Sequence, residues 1–159
     1  MNLKIKKLHP AAIVPTYASE GAACFDLHSI GGPLSAHGLH PGDKATFRTG
    51  LSFEVPPGWV MMIYSRSGHG FKNDVRLANC VGVIDSDYRG EVLVKLTSDQ
   101  HVRPNILGTL PFAAAAMAIQ PGDRIAQAML VPVERVTFTM ADELSNTARG
   151  AGGFGSTGT

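Results

Sequence analysis

The sequence predicts an all-β domain, a sandwich or barrel of short strands. Three observations predict it. Pro41-Gly42-Asp43, Pro56-Pro57-Gly58 and Pro121-Gly122-Asp123 each punctuate the chain just before an apolar or alternating run, with glycine supplying the positive φ of a type II turn. In the first half these runs recur about every ten residues, a spacing that suits short strands. No long stretch repeats its apolar residues with a helical period. The one helical candidate is 110–117, with the run Ala113-Ala114-Ala115-Ala116.

Taken in order, Leu3-Lys4-Ile5-Lys6 alternates and reads as a first strand, its lysines suiting a sheet edge. Pro10 and Pro15 then interrupt any regular element. Ala22-Ala23-Cys24-Phe25-Asp26-Leu27 is a short apolar run with one carboxylate inside it. Read alone, Asp26 either accepts backbone hydrogen bonds in a buried strand or belongs to a site. Residues 31–42 form a loop, and strands are expected over 44–48, 51–55 and 59–64. A strand, a tight reversal and a second strand is the simplest reading of 79–97, and 124–131 is the last strand.

With 159 residues the chain has the length of one ordinary domain and can bury a sizeable core. Fourteen basic against thirteen acidic side chains leave a net charge of +1, without the basic excess of a general nucleic-acid binder. No apolar run approaches a membrane span. The start, Met1-Asn2-Leu3-Lys4-Ile5-Lys6-Lys7, lacks the apolar stretch of a signal peptide. A soluble, cytoplasmic protein is expected. Cys24 and Cys80 are too few for a disulfide framework and match no zinc spacing. Both are expected as buried thiols.

Three stretches carry chemistry. The reversal Gly82-Val83-Ile84-Asp85-Ser86-Asp87-Tyr88-Arg89-Gly90 concentrates two carboxylates, a tyrosine and an arginine between glycines. An ordinary turn needs only Gly, Asn or Asp at its tip, so this one reads equally as a site or as a solvated loop. Ser65-Arg66-Ser67-Gly68 offers backbone N–H groups, hydroxyls and a guanidinium, which suits a phosphate. It also suits a plain turn whose Arg66 pairs with a carboxylate. The tail Arg149-Gly150-Ala151-Gly152-Gly153-Phe154-Gly155-Ser156-Thr157-Gly158 is glycine-rich with a single aromatic, by composition a flexible end. It is either a linker or an arm that orders over a ligand. It is not a Walker loop, because the Gly-Lys-Ser/Thr is missing.

Together these pieces resemble the trimeric deoxyuridine triphosphatases (dUTPases), whose five motifs occur here in the family's order. They match Ala23-Cys24-Phe25-Asp26-Leu27, then Ser65-Arg66-Ser67-Gly68, then Asn79 through Gly90, then Pro121-Gly122-Asp123-Arg124-Ile125-Ala126-Gln127, then Arg149 through Gly158. The resemblance implies a β-jelly-roll homotrimer that splits dUTP into dUMP and pyrophosphate with Mg²⁺. This limits uracil in DNA and supplies dUMP for dTMP synthesis. It implies a core over 1–144 and a closing arm over 145–159. By the same match Asp85 holds and activates the attacking water, and Tyr88 packs on the deoxyribose. Asn79 and the backbone of Val83 and Ile84 read the uracil edge. Arg66, Ser67, Gly68 and Gln127 contact the phosphate chain. Asp26 sits near Mg²⁺ through water. Phe154 stacks on the base, and Arg149, Gly155, Ser156 and Thr157 close on the phosphates. The site is implied to be shared between three subunits.

There are departures from the family's pattern. Cys24 replaces a usual glycine, Ser65 a usual proline, and His69 a usual leucine. Residues 98–118 are longer than the family's usual connection, and a structureless loop of that length is commonly functional or disordered. A protein partner there is one reading. The nearest rival, dCTP deaminase, shares the fold but resembles an Arg-Ser-Ser turn and needs a catalytic glutamate on the strand after the reversal, where this chain carries Lys95. A non-catalytic regulatory protein that keeps the nucleotide site is the rival from another class.

Overall fold

The computed structural model describes residues 1–32, 38–100 and 116–153. The expected helix over 110–117 therefore lies almost wholly outside the described residues, as does most of the 98–118 connection. Among the described residues the elements run β1 (Lys4–Lys7), β2 (Phe25–His28), β3 (Lys44–Arg48), β4 (Leu51–Glu54), β5 (Trp59–Tyr64), α1 (Ser67–Asn73), β6 (Val75–Leu77), β7 (Val81–Ile84), β8 (Leu93–Ser98) and β9 (Arg124–Pro132). No described helix is long and apolar enough to cross a membrane.

The strands form three antiparallel sheets, ordered β1-β4, β2-β9-β5-β7 and β3-β8-β6. Alternation explains how they share a core. In the four-stranded sheet, Phe25, Leu27, Ala126, Ala128, Met61 and Ile63 point to one face and are buried. Ala45 and Phe47 of β3, Leu51 and Phe53 of β4, Val75 and Leu77 of β6, and Val94 and Leu96 of β8 join the same cluster. Burying a large apolar side chain contributes about 1.5–3 kcal/mol, so this cluster is the main source of stability.

The Pro-Gly turns behave as their composition predicts. Gly42, Gly58 and Gly122 have φ of 81°, 77° and 94°. The turns at Gly42 and Gly122 are built alike. Asp43 accepts the backbone N–H of His40 at 3.0 Å, and Asp123 that of Gln120 at 2.7 Å. Each aspartate thus closes its own turn ahead of β3 and β9.

Three expectations need correction. The reversal after Ile84 does not join a hairpin: β7 pairs with β5, whereas β8 pairs with β3 and β6. The loop carries the chain from one sheet to another. Alternation foretells that a segment is a strand, but not which strand it meets. Helix α1 was also not expected. Its seven residues include two glycines and none is buried, so no amphipathic stripe announces it. Finally, Cys24 is half-buried and Cys80 is exposed. Cys80 sits in a three-residue turn with φ of 63°, where Val81 N–H donates to Asn79 O at 2.7 Å.

Candidate active site

The register of the four-stranded sheet sets a transverse row. Asp26 of β2 lies opposite Gln127 of β9, Gln127 opposite Tyr64 of β5, and Tyr64 opposite Val81 of β7. Paired residues share a face, so these four point away from the core face.

At the β2 end of the row, Asp26 is buried and engages two guanidiniums. Arg66 Nε donates to Oδ1 at 3.0 Å and Arg124 Nη1 to Oδ2 at 3.1 Å. Among the described residues the donors to Asp26 are these guanidiniums and not the backbone N–H groups of a buried strand. Arg66 stands at the N-cap of α1 with extended backbone. Its Nη1 reaches the carbonyl of Arg124 at 3.4 Å, and His69 Nε2 lies 2.6 Å from the same oxygen. Gln127 Nε2 donates to Ser65 O at 2.9 Å, and Ser65 Oγ accepts from Leu77 N–H at 2.9 Å. Ser67 and Gly68 open the helix and are exposed. Asp26, Arg66, Ser67, Gly68 and Gln127 are thus brought together around one corner of the sheet.

Charge and burial perturb the neighbours of this corner. His28 is held below its ordinary value of 6.5, first by burial and then by Arg124 and Arg66, against the pull of Asp26. Its Nδ1 is buried without a hydrogen-bond partner. Burial, and then the negative charge of Asp26, raise the Cys24 thiol, which disfavours a reactive thiolate.

The second cluster lies at the other edge of the sheet, on β7 and the loop after it. Two strands intervene, so about 14 Å of sheet separates β2 from β7. Asn79 Nδ2 donates to Val81 O at 3.1 Å. Val83 points outward and is exposed, whereas Ile84 is half-buried against the core. Asp85 is exposed, and its carbonyl accepts Tyr88 N–H at 3.2 Å. Arg89 Nη1 donates to the carbonyls of Ser86 and Tyr88 at 2.7 and 2.9 Å. Tyr88 Oη donates to Glu91 O at 3.0 Å. A Cβ at Gly90 would sit 2.6 Å from Tyr88 Cζ, so only glycine lets the ring lie there. The loop holds its own shape and leaves the Asp85 carboxylate free to face solvent.

Arg149 joins neither cluster in one chain. Its Nε donates to Gly152 O at 2.8 Å within an exposed turn. Phe154, Gly155, Ser156 and Thr157 lie outside the described residues. The cleft of about 410 Å³ lined by Leu3, Ile5, Tyr17, Phe25, Trp59 and Leu130 contains none of the expected site residues.

The dUTPase family profile matches residues 11–107 and 109–158. The chain belongs to the dUTPase family. It is 42% identical to the deoxyuridine 5'-triphosphate nucleotidohydrolase of Nautilia profundicola over 99% of both chains. It is 40% identical to that of Picosynechococcus over the full length of both. Among solved structures it is similar to the dUTPase of Staphylococcus bacteriophage 80alpha with dUpNHpp. That likeness has a TM-score of 0.81 and 27% identity over 99% of each chain.

Two residues that support these clusters have no role assigned to them by the sequence, although Arg124 falls within the fourth motif. Arg124 pairs with Asp26 across 98 residues of chain, and one basic residue among fourteen gives no sign of such a partner. Glu91 anchors the Asp85 loop, accepting Gly50 N–H at 2.8 Å and Arg48 Nη2 at 3.0 Å. Its position directly after Gly90 was the available signal.

Proposed function

We propose that the chain hydrolyses dUTP to dUMP and pyrophosphate through attack of water on the α-phosphorus. The observation that carries this reading is the presentation of Asp85 and Tyr88 on a self-braced loop, in a chain of the dUTPase family. The named relatives are deoxyuridine triphosphate nucleotidohydrolases along their whole length, which supports the same substrate here.

In this reading Asp85, exposed and without a salt-bridge partner among the described residues, orients the water and takes its proton. The Tyr88 ring, braced through Glu91 O and Gly90, closes the space beside the sugar's 2′ carbon. Asn79 and the outer edge of β7 offer polar backbone to the uracil; among the described residues β7 ends the sheet and so has one unpaired side. Arg66, Ser67, Gly68 and Gln127 donate to the phosphate chain, matching charge that moves toward pyrophosphate. Arg149, Phe154, Gly155, Ser156 and Thr157 close over the nucleotide.

The donor set also suits Mg²⁺. Among the described residues no three His, Cys, Asp or Glu side chains converge, so there is no protein cage. Mg²⁺ keeps several waters and binds through substrate phosphates with one or two carboxylates. Asp26 is the buried carboxylate beside the phosphate-binding groups, and it would hold the ion through water. Bound there, the ion would neutralise charge on the phosphate chain.

We further propose a homotrimer with each site shared between three chains, Asp26 and Arg66 from one, Asp85 from a second and Phe154 from a third. The two clusters sit on opposite edges of one sheet, which supports their meeting across a subunit boundary. The stretch from Val133 onward supports it too. Val136, Phe138 and Met140 alternate and are 70%, 91% and 97% exposed, so no described residue of the same chain covers the apolar face of this segment.

Pyrophosphate and ammonia release from dUTP and dCTP tests the activity. Pyrophosphate from dUTP alone is expected, and in isotopically labelled water the label enters dUMP. Ammonia from dCTP would favour deamination, against which Lys95 stands exposed on β8 where a catalytic glutamate is needed. Binding without turnover would favour a regulatory protein.

A further inference from the structure

Helix α1 (Ser67–Asn73) buries none of its residues and has no side-chain hydrogen bond at its N-cap. Apolar packing therefore does not decide where its first turn lies. Polar contacts do. His69 Nε2 lies 2.6 Å from Arg124 O, the carbonyl that also receives Arg66 Nη1 at 3.4 Å. Arg124 reaches Asp26 Oδ2 and Arg66 reaches Asp26 Oδ1. His69 N–H donates back to Arg66 O at 3.1 Å. Arg66, Asp26, Arg124 and His69 thus form a closed ring of contacts that ties α1 to β2 and β9.

We propose that His69 is a positioning residue for phosphate recognition, latching the Arg66-Ser67-Gly68 turn to the first residue of β9. A carbonyl only accepts, so Nε2 carries the hydrogen and donates, whether the ring is neutral or charged. Of the contacts that reach the Arg124 carbonyl, the one from His69 is the shorter by a wide margin. Without it, the entry to the turn would stay tied to β9 through Gln127 Nε2 on Ser65 O and to β2 through the Asp26 ion pair, but beyond Arg66 only its own 3.4 Å contact would reach the start of β9. Arg66 would remain charged and near its place. Ser67 and the Gly68 N–H would lose their fixed bearing on a polyanion, and small misplacements weaken such sites.

The inference rests on the reading that this turn binds the phosphate chain, and the test separates the two. His69→Leu keeps bulk and removes the donor. His69→Gln puts an amide nitrogen close to where Nε2 stands. Affinity for dUpNHpp and for deoxyuridine is measured for both variants and for the unaltered protein, with dUTP turnover alongside. Loss of one hydrogen bond predicts that His69→Leu binds dUpNHpp about 2–10-fold more weakly, with deoxyuridine unaffected. His69→Gln should recover most of the loss. Unchanged dUpNHpp affinity in His69→Leu would overturn the latch, as would equal weakening for deoxyuridine or failure of His69→Gln to recover. If the unaltered protein does not hydrolyse dUTP, the activity reading fails, while the dUpNHpp affinities still decide on His69.

Discussion

Arg66 Nε and Asp26 Oδ1 meet at 3.0 Å although 40 residues of chain separate them. Asp26 holds Arg124 at the same time, so one buried carboxylate fixes the entry to α1 and the entry to β9. Asp26→Asn keeps the shape and removes the charge. Hydrogen bonds to a charged group contribute about 1.5–3 kcal/mol when buried; Arg66 and Arg124 keep part of their surface in water, so a loss toward about 1 kcal/mol is expected. Denaturant titration should record it, together with a raised KM for dUTP. Unaltered stability and KM would show that the carboxylate positions nothing.

The Asp85 carboxylate faces solvent on a loop held by backbone and Arg89 contacts. Asp85→Asn should therefore leave the fold intact and lower kcat by about 10²–10⁴-fold, the usual cost of losing a positioned base. Affinity for dUpNHpp should hardly change, because in the proposed mechanism the group meets the water and not the phosphates. Near-normal turnover in this variant would rule out Asp85 as the base.

In the proposed function sugar selection falls to the Tyr88 ring, whose place depends on the bare Cα of Gly90. Tyr88→Ala and Gly90→Ala should both narrow the preference for dUTP over UTP, the first by removing the ring and the second by displacing it. Tyr88→Phe keeps the ring and loses only the bond to Glu91 O, so it should stay selective. A soft apolar wall rejects an added hydroxyl by only about 10²-fold, whereas a rigid ring does so sterically, so about 10²-fold is the most selectivity Tyr88→Ala should retain. An unaltered dUTP to UTP ratio in Tyr88→Ala would refute the role.

Burial depresses His28 below its ordinary 6.5. The unfolded chain then takes up a proton that the folded chain resists. His28 adds nothing to the pH dependence above 6.5, and the fold loses stability as pH falls from 6.5 through the depressed value. The melting temperature should drop between about pH 7.5 and about pH 5.5, and His28→Gln should flatten that drop. The same slope in the variant would assign it to other groups.

Local chemistry was legible in the sequence, and long-range geometry was not. Trp59–Tyr64 was expected as a strand and is one, because alternation between turn residues is a local signal. The Pro-Gly-Asp turns were legible for the same reason, each closed by its own aspartate. The motifs gave the candidate residues but not the edge of the sheet on which each would stand. The partner of β7, the Arg124 side of the Asp26 ion pair and the Glu91 brace depend on segments far apart in the chain. Helix α1 has no apolar face for a sequence pattern to reveal, and its glycines cost about 1 kcal/mol each against alanine.

The proposed site shared between three chains makes one measurement decisive. An Asp85→Asn chain and a chain truncated before Arg149 should each be inactive alone. Refolded together in equal amounts, a site recovers when its Asp85 comes from a truncated chain and its tail from an Asp85→Asn chain. Random mixing around a closed three-fold assembly predicts about one quarter of full activity. If mass measurement confirms mixed trimers and dUTP hydrolysis stays at zero, Asp85 and the tail serve one site from the same chain, and the shared site is wrong.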